Sequence, residues 1–134
     1  MNYCIGQKAS FSKTISEFDV YGFAGISGDF NPIHINKVEA SKSIFGKQVA
    51  HGLLCGSLLS TVLGTIMPGP GTIYMGQTFE FCAPVYIGDT ITATATIEKI
   101  LPQNKAILDT VVKNQDGTIV IKGEATVKLP QNSK

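Results

Sequence analysis

The stretch that most constrains this chain runs from His51 to Met67, reading His-Gly-Leu-Leu-Cys-Gly-Ser-Leu-Leu-Ser-Thr-Val-Leu-Gly-Thr-Ile-Met. Leu54, Leu58, Val62 and Ile66 recur at helical spacing, and Cys55, Leu59 and Leu63 widen the stripe. Gly56, Ser60 and Gly64, with Ser57, Thr61 and Thr65, make a second face of small side chains. No formally charged residue occurs from Gln48 to Phe79. A helix apolar on one side and merely small on the other has no face suited to water, so the pattern predicts burial all round. The run Pro68-Gly69-Pro70-Gly71 then ends it, because proline lacks the N–H and clashes with the preceding turn. A membrane span is the rival reading, but a span needs about 20 predominantly apolar residues. This segment is shorter, is studded with Gly, Ser and Thr, and lacks flanking aromatic or basic anchors. It reads as a core helix that something else must wrap.

The sequence beyond Gly71 supplies the wrapping. Ile91, Ala93, Ala95 and Ile97 alternate with Thr90, Thr92, Thr94 and Thr96, a period of two with one dry face. Ile73, Met75, Phe79 and Phe81 alternate with Tyr74, Thr78 and Glu80 and predict a strand over 73–81. Strands over 105–113 and 118–128 flank Asn114-Gln115-Asp116-Gly117, a hairpin turn ending in glycine. Gly88-Asp89 turns the chain between two more strands. Upstream, the pattern predicts a strand over 9–15 and a helix opened by Ser16-Glu17, carrying Phe18, Tyr21, Phe23 and Ile26 and closed by Gly28. Asn31-Pro32 is a turn. Asn36 caps a short helix with Glu39 at its third position, resembling a capping box. One dry-faced antiparallel sheet and one apolar helix have a single solution, an α+β fold in which the sheet wraps the helix.

With 134 residues the chain is read as one domain over 1–134, large enough for a hydrophobic core without staples. A net charge of +1 and the absence of any long Lys/Arg run exclude a nucleic-acid footprint. Three cysteines with no CxxC spacing fit reduced thiols in a cytosol-like compartment. The N-terminus lacks the basic-then-apolar pattern of a signal peptide. A cytoplasmic protein without a membrane partner is therefore expected.

Candidate chemistry gathers around the two histidines, His34 and His51. In Ser27-Gly28-Asp29-Phe30-Asn31-Pro32-Ile33-His34 a tight bend allows Asp29 and His34 to face one point, where a carboxylate and an imidazole sharing a water can act as base and acid. Spacing alone leaves open a capping aspartate and a structurally satisfied histidine. Ala50-His51-Gly52 stands at the mouth of the core helix, where the first N–H groups have no partner inside the helix. Gly52 leaves its amide unshielded, a ready oxyanion hole; equally, Gly52 allows close packing while His51 caps or solvates the helix start. His34, His51 and Asp29 also suggest a 2-His-1-carboxylate metal site, but such clusters are usually more tightly spaced, so no metal is expected. No Gly-rich phosphate loop or nucleophile elbow occurs, and no cofactor is expected.

The run from Tyr21 to His34 resembles the hydratase-2 signature of the MaoC-like, (R)-specific enoyl-CoA hydratases. Val49-Ala50-His51-Gly52 before the apolar helix, and Pro84-Val85-Tyr86-Ile87-Gly88-Asp89 before a strand, are similar to the same family. The resemblance implies a hot-dog fold, an acyl-CoA thioester substrate and a homodimer whose two sheets join, with the 21–46 segment overhanging the active site. Carried over residue by residue, it implies that Asp29 and His34 are the catalytic pair and that the Gly52 amide holds the thioester oxygen. It further implies that Ser60 lies near the reacting centre and that Asn31 supports the pair. Asn36 stands where the family often has aspartate. Carrier-protein dehydratase, thioesterase and non-catalytic acyl-CoA-binding activities are the alternatives within reach of the same fold.

Overall fold

A computed structural model describes residues 2–131. Six antiparallel strands form one sheet: β1 (Lys8–Thr14), β2 (Ile73–Gln77), β3 (Glu80–Phe81), β4 (Thr90–Leu101), β5 (Lys105–Lys113) and β6 (Ile119–Lys128). Their order is β1-β4-β5-β6-β2, with β3 also on β6. Along β4 the alternation is realised as read, with Ile91, Ala93, Ala95 and Ile97 inside. On the opposite face Thr90, Thr92 and Thr94 meet the hydroxyls of Thr14, Ser12 and Ser10 at 2.6–2.7 Å. Cross-strand hydroxyl pairs of this kind zip β1 onto β4.

The expected strand over 73–81 is interrupted at Thr78-Phe79. Thr78 Oγ1 accepts the Glu124 amide at 2.9 Å, while the Thr78 amide donates to the Glu124 carbonyl. The hydroxyl thus takes over the ladder position that the Thr78 carbonyl would fill. That carbonyl is pressed toward Gly123, where a Cβ would lie only 1.9 Å from it.

The core helix runs from Gly52 to Ile66 in three pieces, α4 (Gly52–Gly56), α5 (Leu58–Thr61) and a π-bonded turn over Val62–Ile66. Cys55, Leu58, Leu59, Val62 and Leu63 are buried against the sheet. Burial all round is not what the fold delivers: Leu53, Ser57, Ser60, Thr65 and Ile66 are exposed, because a single sheet covers one side of a helix. Of the predicted stripe, Cys55, Leu58, Leu59, Val62 and Leu63 lie inside, Leu54 is half-buried and Ile66 is exposed; of the small-residue face, Ser57, Ser60 and Thr65 lie at the surface while Gly56 is buried.

Upstream, α1 (Glu17–Ser27) is held by a full capping box between Ser16 and Asp19 and ends at Gly28, whose φ of 80° suits glycine. Its buried side is Val20 and Ala24, not the aromatic positions; Phe18 and Ile26 are more than four-fifths exposed. α2 (Pro32–Ile35) begins on Asn31-Pro32, with proline at the first helical position, where its missing N–H is not needed. α3 (Lys37–Ser41) is capped by Asn36, but only one half of a capping box forms: Glu39 pairs with Lys42 at 3.6 Å instead. Residues 48–51 then run extended beside 85–86, with the Ala50 amide donating to the Val85 carbonyl at 2.7 Å. Among the described residues no helix is long and apolar enough to cross a membrane.

Candidate active site

A cavity of about 500 Å³ opens where the α1–α3 overhang meets the start of α4. Phe23, Ile33, Phe45, Val85, Val120 and Ile121 give it apolar walls; Asp29, His34, His51 and Gly52 supply its polar groups. A concave apolar site with a few convergent polar groups is the ordinary form of a small-molecule pocket.

Asp29 sits in the bend after α1, held at three points. Its amide donates to Ser27 Oγ at 3.1 Å, its Oδ1 accepts the Asn31 amide at 3.1 Å, and its carbonyl accepts from His51 Nε2 at 2.9 Å. The second carboxylate oxygen has no hydrogen-bond partner among the described residues. His34 lies on α2 and is 7% exposed. Its Nδ1 approaches the Val49 carbonyl at 2.7 Å. A carbonyl oxygen only accepts, so in the neutral ring the hydrogen is on Nδ1 and Nε2 presents a lone pair. Gln48 fixes the same residue from behind, donating to the His34 carbonyl at 2.7 Å and to the Tyr21 hydroxyl at 3.0 Å.

One nitrogen of each histidine and one carboxylate oxygen of Asp29 lie within 4.8 Å of one another. The distance in sequence that argued against a metal cluster is therefore not a distance in space. A cluster this close can hold a water or an ion; in it His51 Nε2 is committed to the Asp29 carbonyl at 2.9 Å.

Gly52 is the first residue of α4, and its amide belongs to the turn that has no acceptor inside a helix. The Phe81 ring packs directly on it; a Cβ there would come within 2.6 Å of the ring. Gly56 meets Phe79 in the same way, at 2.7 Å, and the two rings stack 5.7 Å apart. Both glycines thus serve close packing, and Gly52 additionally lines the cavity.

Asn31 and Ser60 stand apart from the cavity wall. The Asn31 side chain caps α2 by accepting the Ile33 amide at 3.3 Å, and its own amide reaches Asp29. Ser60, on α5, is exposed and is not among the lining residues. The His51 side chain, read as a helix cap, makes no capping bond; it turns back to Asp29 and stacks on His34. Nothing in the local sequence signals that contact, since it joins residues 22 apart. Two cysteines also line the cavity. Burial, with the negative charge of Asp89 second, pushes the Cys55 thiol up to about 12, so it stays protonated; Cys82 is exposed.

Residues 3–124 match the family described as MaoC like domain. The chain is 49% identical to the (R)-specific enoyl-CoA hydratase of Rhodospirillum rubrum, over 93% of this chain and 87% of that protein. It is 39% identical to the 3-hydroxybutyryl-CoA dehydratase of Methylorubrum extorquens, over 97% and 83% of the two chains. The fold superposes on the unliganded R-hydratase PhaJ1 of Pseudomonas aeruginosa with a TM-score of 0.94 at 41% identity, covering 97% of this chain and 84% of that one.

Proposed function

The chain belongs to the family of MaoC-like domains, with a hot-dog fold, and from that premise we propose that it is an (R)-specific enoyl-CoA hydratase. The reaction is reversible addition of water to a trans-2-enoyl-CoA, giving an (R)-3-hydroxyacyl-CoA. The observation that carries this reading is the convergence of the Asp29 carboxylate and the His34 ring within 4.8 Å at an apolar cavity.

The thioester oxygen accepts a hydrogen bond from the Gly52 amide, which draws electron density out of the double bond and leaves C3 electrophilic. A donor of this kind is worth about 3 kcal/mol in the transition state. Water sits between the free Asp29 oxygen and His34 Nε2, both of them acceptors. As the water oxygen bonds to C3, the pair takes one of its protons and passes it to C2. Both parts of the water then arrive from the same face, so addition is syn. The Val49 carbonyl keeps the second His34 nitrogen protonated, which aims Nε2 at the water. Asn31 supports the pair through its amide on Asp29. Ser60 lies outside the cavity lining, and its place near the reacting centre rests on its match to the family pattern alone.

The assembly we propose is a homodimer joined at the β2 end of the sheet. There β2 has a neighbour on one side only, and Ile73, Met75 and the nearby Phe81 are all more than half exposed. We take residues 1–134 as one domain that works in the cytoplasm, as three free cysteines favour. The deciding experiment follows loss of enoyl absorbance with crotonyl-CoA and tests the product with (R)- and (S)-specific dehydrogenases. An (S) product, or no hydration of crotonyl-CoA while crotonyl-carrier-protein is turned over, would overturn the assignment.

A further inference from the structure

We propose that His51 is a positioning residue of this site, which sets the geometry of Asp29 through its backbone and of His34 through ring contact. The proposal rests on the reading of Asp29 and His34 given above. His51 is 2% exposed and lies between the two groups. Its Nε2 donates to the Asp29 carbonyl at 2.9 Å. Its ring stacks on His34 with centroids 3.8 Å apart and planes 24° from parallel, while Phe23 closes the site at 4.9 Å.

Each contact removes a different freedom. The Val49 carbonyl fixes how the His34 ring is turned within its own plane, and the His51 face fixes the plane itself. The Asp29 bend is exposed on its outer side, and His51 supplies its tie to the protein interior. Residues 49–52 therefore reference three polar groups to one short segment: Val49 orients His34, His51 holds Asp29, and Gly52 presents its amide. That segment is pinned in turn by the Ala50–Val85 and Val49–Ile33 hydrogen bonds, at 2.7 and 3.1 Å.

A space-filling role does not account for this side chain. His51 Nδ1 is buried with no hydrogen-bond partner among the described residues. An unsatisfied buried acceptor is a liability that leucine or phenylalanine would not carry. Nor does the side chain cap α4, a task that serine or aspartate performs better. What histidine alone combines here is a flat ring against His34 and a donor at the far end of that ring.

The test uses His51→Phe, which keeps the ring and loses the donor, and His51→Gln, which keeps a donor and loses the ring. Misplacing a reacting group by about 1 Å can lower a rate by about 10²-fold. His51→Phe is expected to lower kcat by roughly 10- to 100-fold with KM held within about threefold, and His51→Gln to recover part of the loss. In an Asp29→Asn background His51→Phe should add almost nothing, because it acts through a group already disabled. Unchanged kcat in His51→Phe, or losses that multiply in the double variant, would overturn the proposal. A second measurement needs no activity. With only two histidines in the chain, a long-range proton–nitrogen correlation spectrum can be taken near pH 9, above the ordinary histidine pKa of about 6.5. It should show one ring protonated at Nδ1 and the other at Nε2, with the Nε2 form missing from His51→Phe. Two rings in the same form would refute the geometry. A wild-type protein inactive on enoyl-CoA but with this tautomer pair would refute the hydratase reading and leave the His51 contacts standing.

Discussion

Asp29→Asn separates catalysis from folding more cleanly than any other single change. The substitution is nearly isosteric, and each bond that holds the bend survives it. The Asp29 amide and carbonyl are backbone groups, and an asparagine Oδ1 accepts the Asn31 amide as a carboxylate does. Asp29 is exposed and forms no ion pair among the described residues. Surface changes without a lost partner stay within about 0.5 kcal/mol, so the thermal midpoint should move by no more than about 2–3 °C. What is lost is a proton acceptor beside the water, because an amide is not a usable base. General acid–base assistance is worth roughly 10²–10⁴-fold, or about 2.7–5.4 kcal/mol at about 1.36 kcal/mol per decade. Steady-state hydration of crotonyl-CoA, alongside thermal unfolding of the same preparation, measures both quantities. Near-wild-type kcat in a folded Asp29→Asn protein would remove Asp29 from the mechanism. A large loss of stability would mean instead that its carboxylate is structural.

Gly123→Ala should destabilise the fold by about 1–3 kcal/mol, toward the upper end because the obstacle to a new Cβ is the Thr78 backbone at 1.9 Å; a urea midpoint unchanged from wild type would refute it. A disulfide-exchange thiol reagent at about pH 8 should label Cys4 and Cys82 in the native protein and Cys55 only after unfolding, since burial first and Asp89 second hold that thiol at about 12. Three equally fast thiols would contradict this. Burial raises the Asp19 pKa, but bonds from the Ser16 amide and hydroxyl and from Lys13, 3.3 Å away, together outweigh it, so the net displacement is downward from the ordinary 3.8. A depressed folded value means that Asp19 contributes stability above pH 3.8 and loses it as pH falls through the folded value. Asp19→Asn should therefore flatten the stability profile below about pH 4, read from urea midpoints at successive pH values.

What the sequence made legible follows from local geometry. The β4 alternation was readable because a strand's faces are set by its own backbone, and the Ser16 start and Gly28 stop because caps answer to adjacent orphan groups. The buried side of α1 was not readable, since the space left beside the sheet selected Val20 and Ala24 over the larger Phe18 and Ile26. The break at Thr78 was hidden for a similar reason: it depends on a glycine 45 residues away whose missing Cβ admits a carbonyl. At the site, Asp29 and His34 could be singled out by pattern because only four residues lie between them around one bend. The His51 side chain could not, because a histidine before a glycine at a helix start looks like a cap until the overhang folds back over it.

These contrasts place the chemistry at a seam between two kinds of structure. The sheet and the inner side of α4 and α5 form a dense apolar body, with Leu59, Leu63, Ile91, Leu108 and Val120 all but inaccessible. The α1–α3 overhang contributes little to that body and leaves Phe18, Ile26, Val38 and Ile44 on its surface. Such a segment has too few apolar contacts to fix a catalytic group to a fraction of an ångström by itself. Precision is supplied by directional bonds to residues 48–51: Gln48 to the His34 carbonyl, Val49 to Ile33 and to His34 Nδ1, and His51 to the Asp29 carbonyl. Residues 48–51 run directly into α4, whose far side is packed on the sheet, so they inherit its rigidity. Asp29 and His34 can therefore sit on a lightly anchored lip beside an open cavity while their coordinates are set by the core.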